Sequence, residues 1–403
     1  MIEPKIRFKG FEGEWKALSL DDCVNFLDSK RKPIEEGNRT KGIFPYYGAS
    51  GIVDYINDYI FDEELILLSE DGANITDRNY PVCFLAKGKY WVNNHAHVLK
   101  AKEGFINSFL CNAMERKDYT LYNTGMAMPK LNKEACKRIP VLHPSSNEQK
   151  AIATYFTSLD SQISASTSRL ASLKQMKAAS LQAMFPQEGE TVPKIRFKGF
   201  EGEWKKVMFS ETFEFLKNNS LSRAELSNEG DIVNVHYGDV LIKYGDLLNI
   251  QNEELTFIAD NKIGNTLYNS CHLQNGDIII ADAAEDNTVG KCSEIVNICN
   301  KRVVSGLHTI PCRPLNRFSL GYLGHYINSE SYHNQLLPLI QGSKISSISK
   351  KTLSQTIVLV PSIEEQKCIG NYFTSLDRKI SLQSQRLEKL KQIKSACLDK
   401  MFV

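Results

Sequence analysis

Histidines and aspartates at matching intervals are the residues of this sequence best suited to chemistry. His95 and His97 stand two residues apart, so their side chains would share one face of a β-strand. Asp71 and His97 are 26 residues apart, and so are Asp282 and His308. Such groups serve acid–base catalysis or metal binding. No third ligand is visible near the two histidines, and one scaffold position kept in two similar domains accounts for the shared interval. We therefore assign no catalytic residue and no metal ligand, and we interpret the histidines as hydrogen-bonded strand residues.

Motifs that bind phosphates or cofactors are missing from the sequence. Residues 341–344 match only a fragment of a GxxxxGK[ST] loop. There is no glycine-rich loop suited to a dinucleotide or S-adenosylmethionine, and no Asn/Asp-Pro-Pro-aromatic run suited to amino methylation. We expect this chain to bind no cofactor and to have no enzymatic activity of its own. An unrecognised nuclease or methyltransferase centre stays open as an alternative, which activity of the purified chain would support.

Two internal repeats show how the rest of the chain is organised. The run PKIRFKGFEGEWK occupies residues 4–16 and recurs unchanged at 193–205, an offset of 189. A second repeat has an offset of 217, because the Glu-Gln-Lys and Tyr-Phe-Thr-Ser-Leu-Asp motifs within 148–160 return within 365–377. The long segments between the repeats barely resemble each other. A frame kept the same twice indicates one kind of partner bound twice, whereas inserts that differ indicate recognition of different targets.

The second repeat has the apolar spacing of a coiled coil. Steps of three and four residues continue over more than three heptads in both copies, with one polar position, Ser166 or Gln383, in each. Residues 147–184 would form a rod of about 57 Å. The predicted helix–helix seam consists of Ile152, Phe156, Leu159, Ile163, Leu170, Leu173, Ile369, Phe373, Leu376, Ile380, Leu387 and Leu390. Mutual pairing of the helices is favoured, and two helices packed separately on their own domains are the alternative.

The inserts have the alternating apolar and β-branched residues of strands, with Gly and Asn turns between them. The order of frame, insert and helix is circular, as though the C-terminus led back to the N-terminus. We therefore predict an α+β protein with two strand-rich domains separated by two long antiparallel coiled-coil helices in a pseudo-twofold, circular organisation. The predicted boundaries are 1–146 for the first strand-rich domain, 147–186 for the first helix, 187–362 for the second domain and 363–403 for the second helix.

Composition places this 403-residue chain among ordinary globular proteins, with 42% apolar and 24% charged residues. The first residues contain no apolar run, so we expect no signal peptide. No apolar stretch is long enough to cross a membrane. Ten cysteines at irregular spacing indicate reduced thiols and predict a cytoplasmic protein.

Charge by itself does not indicate nucleic-acid binding. Residues 17–146 contain 16 basic and 17 acidic residues, and residues 206–361 contain 13 and 16. A self-sufficient DNA-binding domain is usually strongly basic. Basic residues in loops or just before the helices are nevertheless candidates for contacts with phosphates or base edges, although a solvated surface charge is the alternative for each. The candidates are Lys30, Arg31, Lys32, Arg39, Lys130, Lys133, Arg223, Lys243, Lys344, Lys350 and Lys351.

These features together resemble the specificity subunit of a Type I restriction-modification system. The resemblance covers nearly the whole chain. Its most specific parts are the repeated PKIRFKGFEGEW, the Glu-Gln-Lys and Tyr-Phe-x-Ser-Leu-Asp motifs of both helices, and the runs Tyr47–Gly51, Asp71–Ala73 and Asn93–His97. The second insert keeps Tyr237-Gly238-Asp239 and the single His308.

The resemblance implies that each insert is a target-recognition domain reading one half of a bipartite, asymmetric site in double-stranded DNA. The helices would set the gap between the halves and, with the frames, dock two methylation subunits, through which restriction subunits join. These partners would bring S-adenosylmethionine, ATP and Mg, so no cofactor is expected in this chain. A tandem-repeat scaffold that does not bind DNA is the alternative function.

Overall fold

The two stretches with heptad spacing form the two longest helices of the computed structural model, Ser146–Met184 and Ile363–Met401. The structure describes residues 3–251, 254–342 and 345–402. The chain forms two compact units, and each helix contributes to both. Unit 1 consists of Met1–Ser168 and Gln385–Val403, and unit 2 is Arg169–Ser384.

Unit 1 contains ten strands and four short helices among its described residues. In chain order, with the long helix that follows them, they are β1 (Lys16–Ser19), α1 (Leu20–Cys23), β2 (Val24–Phe26), β3 (Lys41–Gly48), β4 (Gly51–Ile56), β5 (Phe61–Asp62), β6 (Leu65–Ser69), α2 (Asn74–Asp77), β7 (Cys83–Ala86), β8 (Lys89–Val92), β9 (Ala96–Ala101), α3 (Asn107–Glu115), α4 (Lys133–Lys137), β10 (Pro140–His143) and α5 (Ser146–Met184).

The strands of unit 1 form three sheets. Strands β1 and β10 make an antiparallel pair that leads the chain into α5. The other two sheets have four strands each, in the orders β2-β9-β6-β7 and β4-β3-β8-β5. All five residues of β6 are buried, because β6 lies inside its sheet and both of its faces are covered. Strand β3 pairs with β8 in parallel, so their carboxyl ends lie at the same edge.

Unit 2 repeats this plan with more elements. Among its described residues they are β11 (Lys205–Met208), α6 (Phe209–Thr212), β12 (Phe213–Phe215), β13 (Leu226–Ser227), β14 (Ile232–Val235), α7 (Tyr237–Ile242), β15 (Leu247–Asn249), β16 (Phe257–Ile258), α8 (Asn261–Ser270), β17 (Ile278–Ala281), β18 (Ala283–Ala284), β19 (Cys292–Val296), β20 (Arg302–Ser305), β21 (Thr309–Pro314), α9 (Tyr322–Ile327), α10 (Glu330–His333), β22 (Ser346–Ser347), α11 (Lys350–Ser354), β23 (Ile357–Val360) and α12 (Ile363–Met401).

Three sheets of unit 2 correspond to those of unit 1, and β18 and β22 form a further two-stranded sheet. Strands β11 and β23 form the antiparallel pair that precedes α12. A five-stranded sheet has the order β12-β21-β17-β19-β15, and a four-stranded sheet has the order β13-β16-β14-β20. Strand β14 pairs with β20 in parallel, as β3 does with β8. The mixed α+β class predicted from the sequence is therefore confirmed.

The repeated frame forms the same buried ion pair in both units. Arg7 donates two hydrogen bonds to Glu148, at 2.7 and 2.8 Å, and Arg196 donates two to Glu365, at 2.6 and 2.7 Å. Both carboxylates are only 1% exposed. The arginine of the frame thereby holds the first turn of the long helix, which explains why the frame and the Glu-Gln-Lys motif recur together.

The frame also binds the end of the other long helix. In unit 1 the Ile6 amide donates to the Lys400 carbonyl at 2.9 Å, and in unit 2 the Ile195 amide donates to the Ala183 carbonyl at 2.9 Å. The rings of Trp15 and Phe402 are 6.2 Å apart in unit 1. The two ends of the chain therefore meet within unit 1, as the circular order of the sequence predicts.

Within each unit the two long helices lie side by side and run antiparallel. In unit 1, Lys394 donates to Asp160 at 2.6 Å, while Phe402 contacts Phe156 at 5.8 Å between ring centroids. In unit 2, Lys177 and Asp377 are 2.5 Å apart, the same ion pair at the repeat offset of 217. Each helix pair also packs on its own domain, since Phe156 belongs to a domain core. The helices therefore pair with each other and also pack on their own domains, so features of both alternatives are present.

The predicted seam residues fall into two groups. Seven are buried, and five are half-buried. The buried ones are Ile152, Phe156, Leu159, Ile369, Phe373, Leu376 and Leu387. The half-buried ones are Ile163, Leu170, Leu173, Ile380 and Leu390.

Two further expectations concern cysteines and membranes. All ten cysteines are unpaired, and six of them are buried. Across residues 3–251, 254–342 and 345–402, no helix combines the length and the apolar character needed to cross a bilayer.

Candidate nucleic-acid interface

In unit 1, loops from several strand ends meet at one edge of the sheets. The Asn93 amide after β8 donates to the Tyr47 carbonyl of β3 at 3.0 Å, and the Lys32 amide donates to the Val92 carbonyl at 3.3 Å. Asp71 after β6 forms an antiparallel bridge with Lys130. We call this surface the loop end of unit 1. It comprises residues 28–32, 47–50, 69–73, 93–97 and 129–131.

A half-exposed histidine–aspartate pair lies at this loop end. His95 Nδ1 is 2.9 Å from Asp71 Oδ2, and the imidazole is 51% exposed. Unit 2 has the same kind of pair, with His308 Nδ1 3.1 Å from Asp282 Oδ1 and the imidazole 52% exposed. The matching intervals in the sequence suggested His97 as the counterpart of His308, and this assignment is wrong, because the partner of Asp71 is His95.

The strand register shows which positions of the two pairs correspond. Ser69 pairs with Ala96 between β6 and β9, and Ala281 pairs with Thr309 between β17 and β21. The histidine immediately before β9 and the one immediately before β21 are therefore equivalent. The aspartates are not equivalent, since Asp282 directly follows β17 whereas Asp71 lies one residue further from β6. The same pair is thus built with carboxylates from two different backbone positions.

His97 has a structural role instead. It is 1% exposed, with Nδ1 2.8 Å from Asp28 Oδ2 and Nε2 2.7 Å from the Leu131 carbonyl. Both partners accept hydrogen bonds, so both ring nitrogens carry protons. Burial alone would lower the pKa of His97, but the hydrogen bond to Asp28 and the neighbouring Cys136 outweigh it and raise the pKa to about 10. The charged ring ties two loops of the loop end together.

This ionisation predicts that the stability of unit 1 depends on pH. Between the ordinary histidine value of 6.5 and about 10, folded His97 keeps a proton that the unfolded chain has released. The stabilisation is therefore complete below pH 6.5 and is lost as the pH rises toward 10, at no more than about 1.4 kcal/mol per pH unit. Urea unfolding at pH 6, 8 and 10 checks this. The decline should be shallower in His97→Gln, and equal slopes in both proteins would contradict the assignment.

The basic candidates of unit 1 have different environments. Arg31 is only 14% exposed and donates to Glu70 at 2.6 Å, to the Ala96 carbonyl at 2.8 Å and to the Asp28 carbonyl at 3.2 Å, so it joins loops rather than facing outward. Arg39 lies over the Tyr46 ring at 4.5 Å and donates to the Ile34 carbonyl. Lys130 is half-exposed, 3.5 Å from Glu70. Lys30 and Lys32 are exposed.

Lys133 and Lys350 occupy corresponding places in the two units. The Lys133 ammonium lies 5.4 Å from the ring centroid of Phe26, at the end of β2. The Lys350 ammonium lies 5.7 Å from that of Phe215, at the end of β12, and donates to the Leu216 carbonyl at 3.0 Å. Each lysine is exposed while the aromatic ring holds its position. A cation is therefore presented beside the first domain strand in both units.

The loop end of unit 2 comprises residues 219–223, 236–239, 282–284, 306–309 and 345–348. Arg223 makes two hydrogen bonds with Asp239, at 2.7 and 3.0 Å, and is half-exposed. The His308 ring packs edge-on against Tyr237 at 5.3 Å. The remaining sequence candidates are more peripheral: Lys243 lies 3.8 Å from Glu254, Lys351 is exposed, and Lys344 falls outside the described residues.

The Tyr-Gly motifs of the two inserts do not correspond in the structure. The Tyr47 carbonyl accepts from Asn93, and the equivalent acceptor in unit 2 is the Val235 carbonyl, which binds the Gly306 amide at 2.8 Å. Tyr237 lies two residues further and begins α7. The likeness of Tyr237-Gly238 to Tyr47-Gly48 is therefore a coincidence of sequence.

One cluster with metal-ligating side chains occurs in the described part of the chain, in unit 2. It consists of Asp246, His325 and Asp377, whose ligand atoms lie within 4.8 Å of one another. The Lys177 ammonium lies 2.7 Å from Asp246 and 2.5 Å from Asp377. It therefore occupies the position that a metal ion would take between these carboxylates. Burial opposes the charge of this lysine, but the two carboxylates outweigh it and raise the pKa of Lys177. The cluster is an ion network between the long helices and the second domain.

Comparisons with known proteins agree with these features. A putative Type I restriction enzyme specificity subunit of Haemophilus influenzae is 35% identical over 151 residues, which is 38% of each chain, so our chain spans well under two thirds of that relative. The Type I restriction enzyme MjaVIII specificity subunit of Methanocaldococcus jannaschii is 20% identical over 96% of this chain and 91% of its own.

Two solved structures have the same fold. The S subunit of a Type I restriction-modification system from M. genitalium has a TM-score of 0.67 at 15% identity and covers 100% of this chain and 99% of its own. A chain from a study of the assembly of a Type I restriction-modification system has a TM-score of 0.50 at 16% identity. The match covers 96% of this chain and 97% of that chain. The family described as Type I restriction modification DNA specificity domain matches residues 12–175 and 201–392. Because these two matches cover most of the sequence, the chain belongs to the Type I restriction-modification DNA specificity family.

Proposed function

We propose that each unit reads one half of a bipartite, asymmetric DNA site through its loop end. The observation that carries the proposal is the contrast between the two parts of each unit. The frame and helix contacts of Arg7 and Arg196 are the same, whereas Arg31 and Lys130 at one loop end give way to Arg223 and Tyr237 at the other. Base contacts specify a sequence, so readers of two different half-sites need different side chains.

A scaffold that does not bind DNA is not favoured. Such a scaffold would have no reason to keep two frames identical while its inserts diverge. The near-neutral charge of the inserts also fits a shared role, because partner subunits in a complex can supply part of the positive charge that neutralises DNA phosphates.

Methylation subunits would dock on the frames and helices, one on each unit. In unit 2 a shallow apolar groove is lined by Met176, Met184, Ile195, Phe197 and Tyr372. The first and third of these are exposed, and so are their counterparts in unit 1, Ile393 and Ile6. Exposed apolar patches at equivalent positions fit the same partner bound twice. The partners would bring S-adenosylmethionine, and restriction subunits joined through them would bring ATP and Mg.

The two long helices would set the gap between the half-sites. Each is 39 residues long without interruption, which corresponds to about 58 Å. An uninterrupted helix holds its two ends at a fixed distance from each other. Because the two helices are equally long, the residues of one can pair with those of the other along their whole length when they run antiparallel.

Replacement of one insert tests the proposal. Exchanging residues 206–361 for the insert of another member of the family should change one half of the recognised site and leave the other half and the gap unchanged, because the frames and helices stay intact. Sequencing of methylated sites in a host carrying the assembled system measures this. The matched exchange of residues 17–146 should change the opposite half. If one exchange altered both halves, the assignment of one reader to each unit would be wrong.

A further inference from the structure

The histidine–aspartate pairs are what the two loop ends share. His95 and His308 hold equivalent places before β9 and β21, with nearly equal exposure, 51% and 52%. Their neighbours differ, since Lys130 is bridged to Asp71 in unit 1 and Tyr237 packs on His308 in unit 2. The carboxylates come from different backbone positions, so the pairing persists although the local sequence has changed. A recurrence of this kind indicates a task common to both loop ends.

The geometry also determines what each pair can bind. The carboxylate accepts a hydrogen bond from Nδ1, which orients the ring. Within residues 3–251, 254–342 and 345–402, Nε2 of neither ring has a hydrogen-bond partner, and half of each ring faces solvent. With Nδ1 donating to the carboxylate, Nε2 is the ring nitrogen that faces outward, and in the imidazolium form it offers one N–H donor there, which suits an anionic oxygen.

Two readers of different half-sites have the phosphodiester backbone in common but not the bases. Phosphate contacts position a protein on the duplex, and base contacts supply the specificity. We infer that His95 and His308 each donate from Nε2 to a backbone phosphate of their half-site. This inference rests on the proposed reading of DNA by the loop ends. Asp71 and Asp282 are the positioning residues of this contact. The pairs set the register of each reader, and base reading falls to side chains that differ between the units.

The test uses the chain assembled with its methylation subunits and duplexes that carry the cognate site. His95→Gln and His308→Gln should each weaken binding about tenfold, as expected for one lost hydrogen bond to a charged group. The loss should be the same for the cognate duplex and for duplexes with single base changes. The dependence of log K on log salt concentration should become shallower by about 1. His95→Lys should restore most of the affinity, because a cation can still reach the phosphate.

A matched control and three contrary results complete the test. His272→Gln changes an exposed histidine before β17, at the opposite end of the strand from Asp282, and should leave binding unchanged. Affinity loss that relaxes selectivity at one base pair would overturn the inference in favour of base reading. Wild-type affinity of both glutamine variants, or loss that lysine does not rescue, would also overturn it. If the wild-type complex showed no sequence-selective binding, the proposed function itself would fail.

Discussion

Replacing Arg7 with alanine should strongly destabilise unit 1. The guanidinium makes two hydrogen bonds to Glu148, which is 1% exposed, and a third to the Gly13 carbonyl at 2.7 Å. Without Arg7 a buried carboxylate is left without its counter-charge, and such losses cost about 3–5 kcal/mol. Urea unfolding measures the loss of unfolding free energy, and hydrogen exchange assigns it to unit 1. Arg196→Ala should have the same effect in unit 2, where the pair with Glu365 is the same.

The controls for this prediction come from the same unit. Arg116 and Asp399 form an ion pair at 2.8 Å in which both side chains are about half exposed, so Arg116→Ala should cost less than about 1 kcal/mol. The double change Arg7→Met with Glu148→Leu removes both charges and should recover most of the stability. A cost for Arg7→Ala no larger than that for Arg116→Ala would show that the buried pair does not hold the helix.

Adding one heptad to both long helices should change the gap between the recognised half-sites. Seven residues inserted after Ser168 and seven after Ser384, where the units divide the helices, keep the apolar pattern in phase and add about 10 Å. At ~3.4 Å per base pair this corresponds to roughly three base pairs. At ~10 base pairs per turn it also rotates one half-site by about 100°. Engagement of both half-sites at the original gap should then fail, with an affinity loss of about 10²–10⁴-fold.

Binding to duplexes with gaps lengthened by zero to five base pairs measures this effect. The half-site sequences should stay unchanged while the preferred gap grows. Insertion of four residues in each helix breaks the heptad phase and should damage folding. A heptad variant that assembled and still preferred the original gap would show that the helices do not set the spacing.

Some features of this protein were determined by local sequence. The repeated frame and the heptad spacing predicted the two long helices, because helix periodicity is encoded in residues three and four apart. The strand-rich character of the inserts followed from alternating apolar residues in the same way. The resemblance to a Type I specificity subunit rested on these repeats, and it is confirmed by the family match over both halves. The pairing of each frame arginine with a helix glutamate was not predicted, although the joint recurrence of the two motifs was its signal.

The burial and the hydrogen-bond partners of the side chains at the loop ends were decided by tertiary structure alone. His95 directly precedes β9 and His97 lies within it. His95 is half-exposed beside Asp71, whereas His97 is buried between Asp28 and Leu131. Arg31 and Lys30 are adjacent in sequence, but only the arginine is surrounded by acceptors from distant loops. Lys177 fills a cluster whose members lie 69 to 200 residues further along the chain. Local patterns determine which elements form, but the burial, charge and hydrogen bonding of a side chain depend on the segments that folding brings around it.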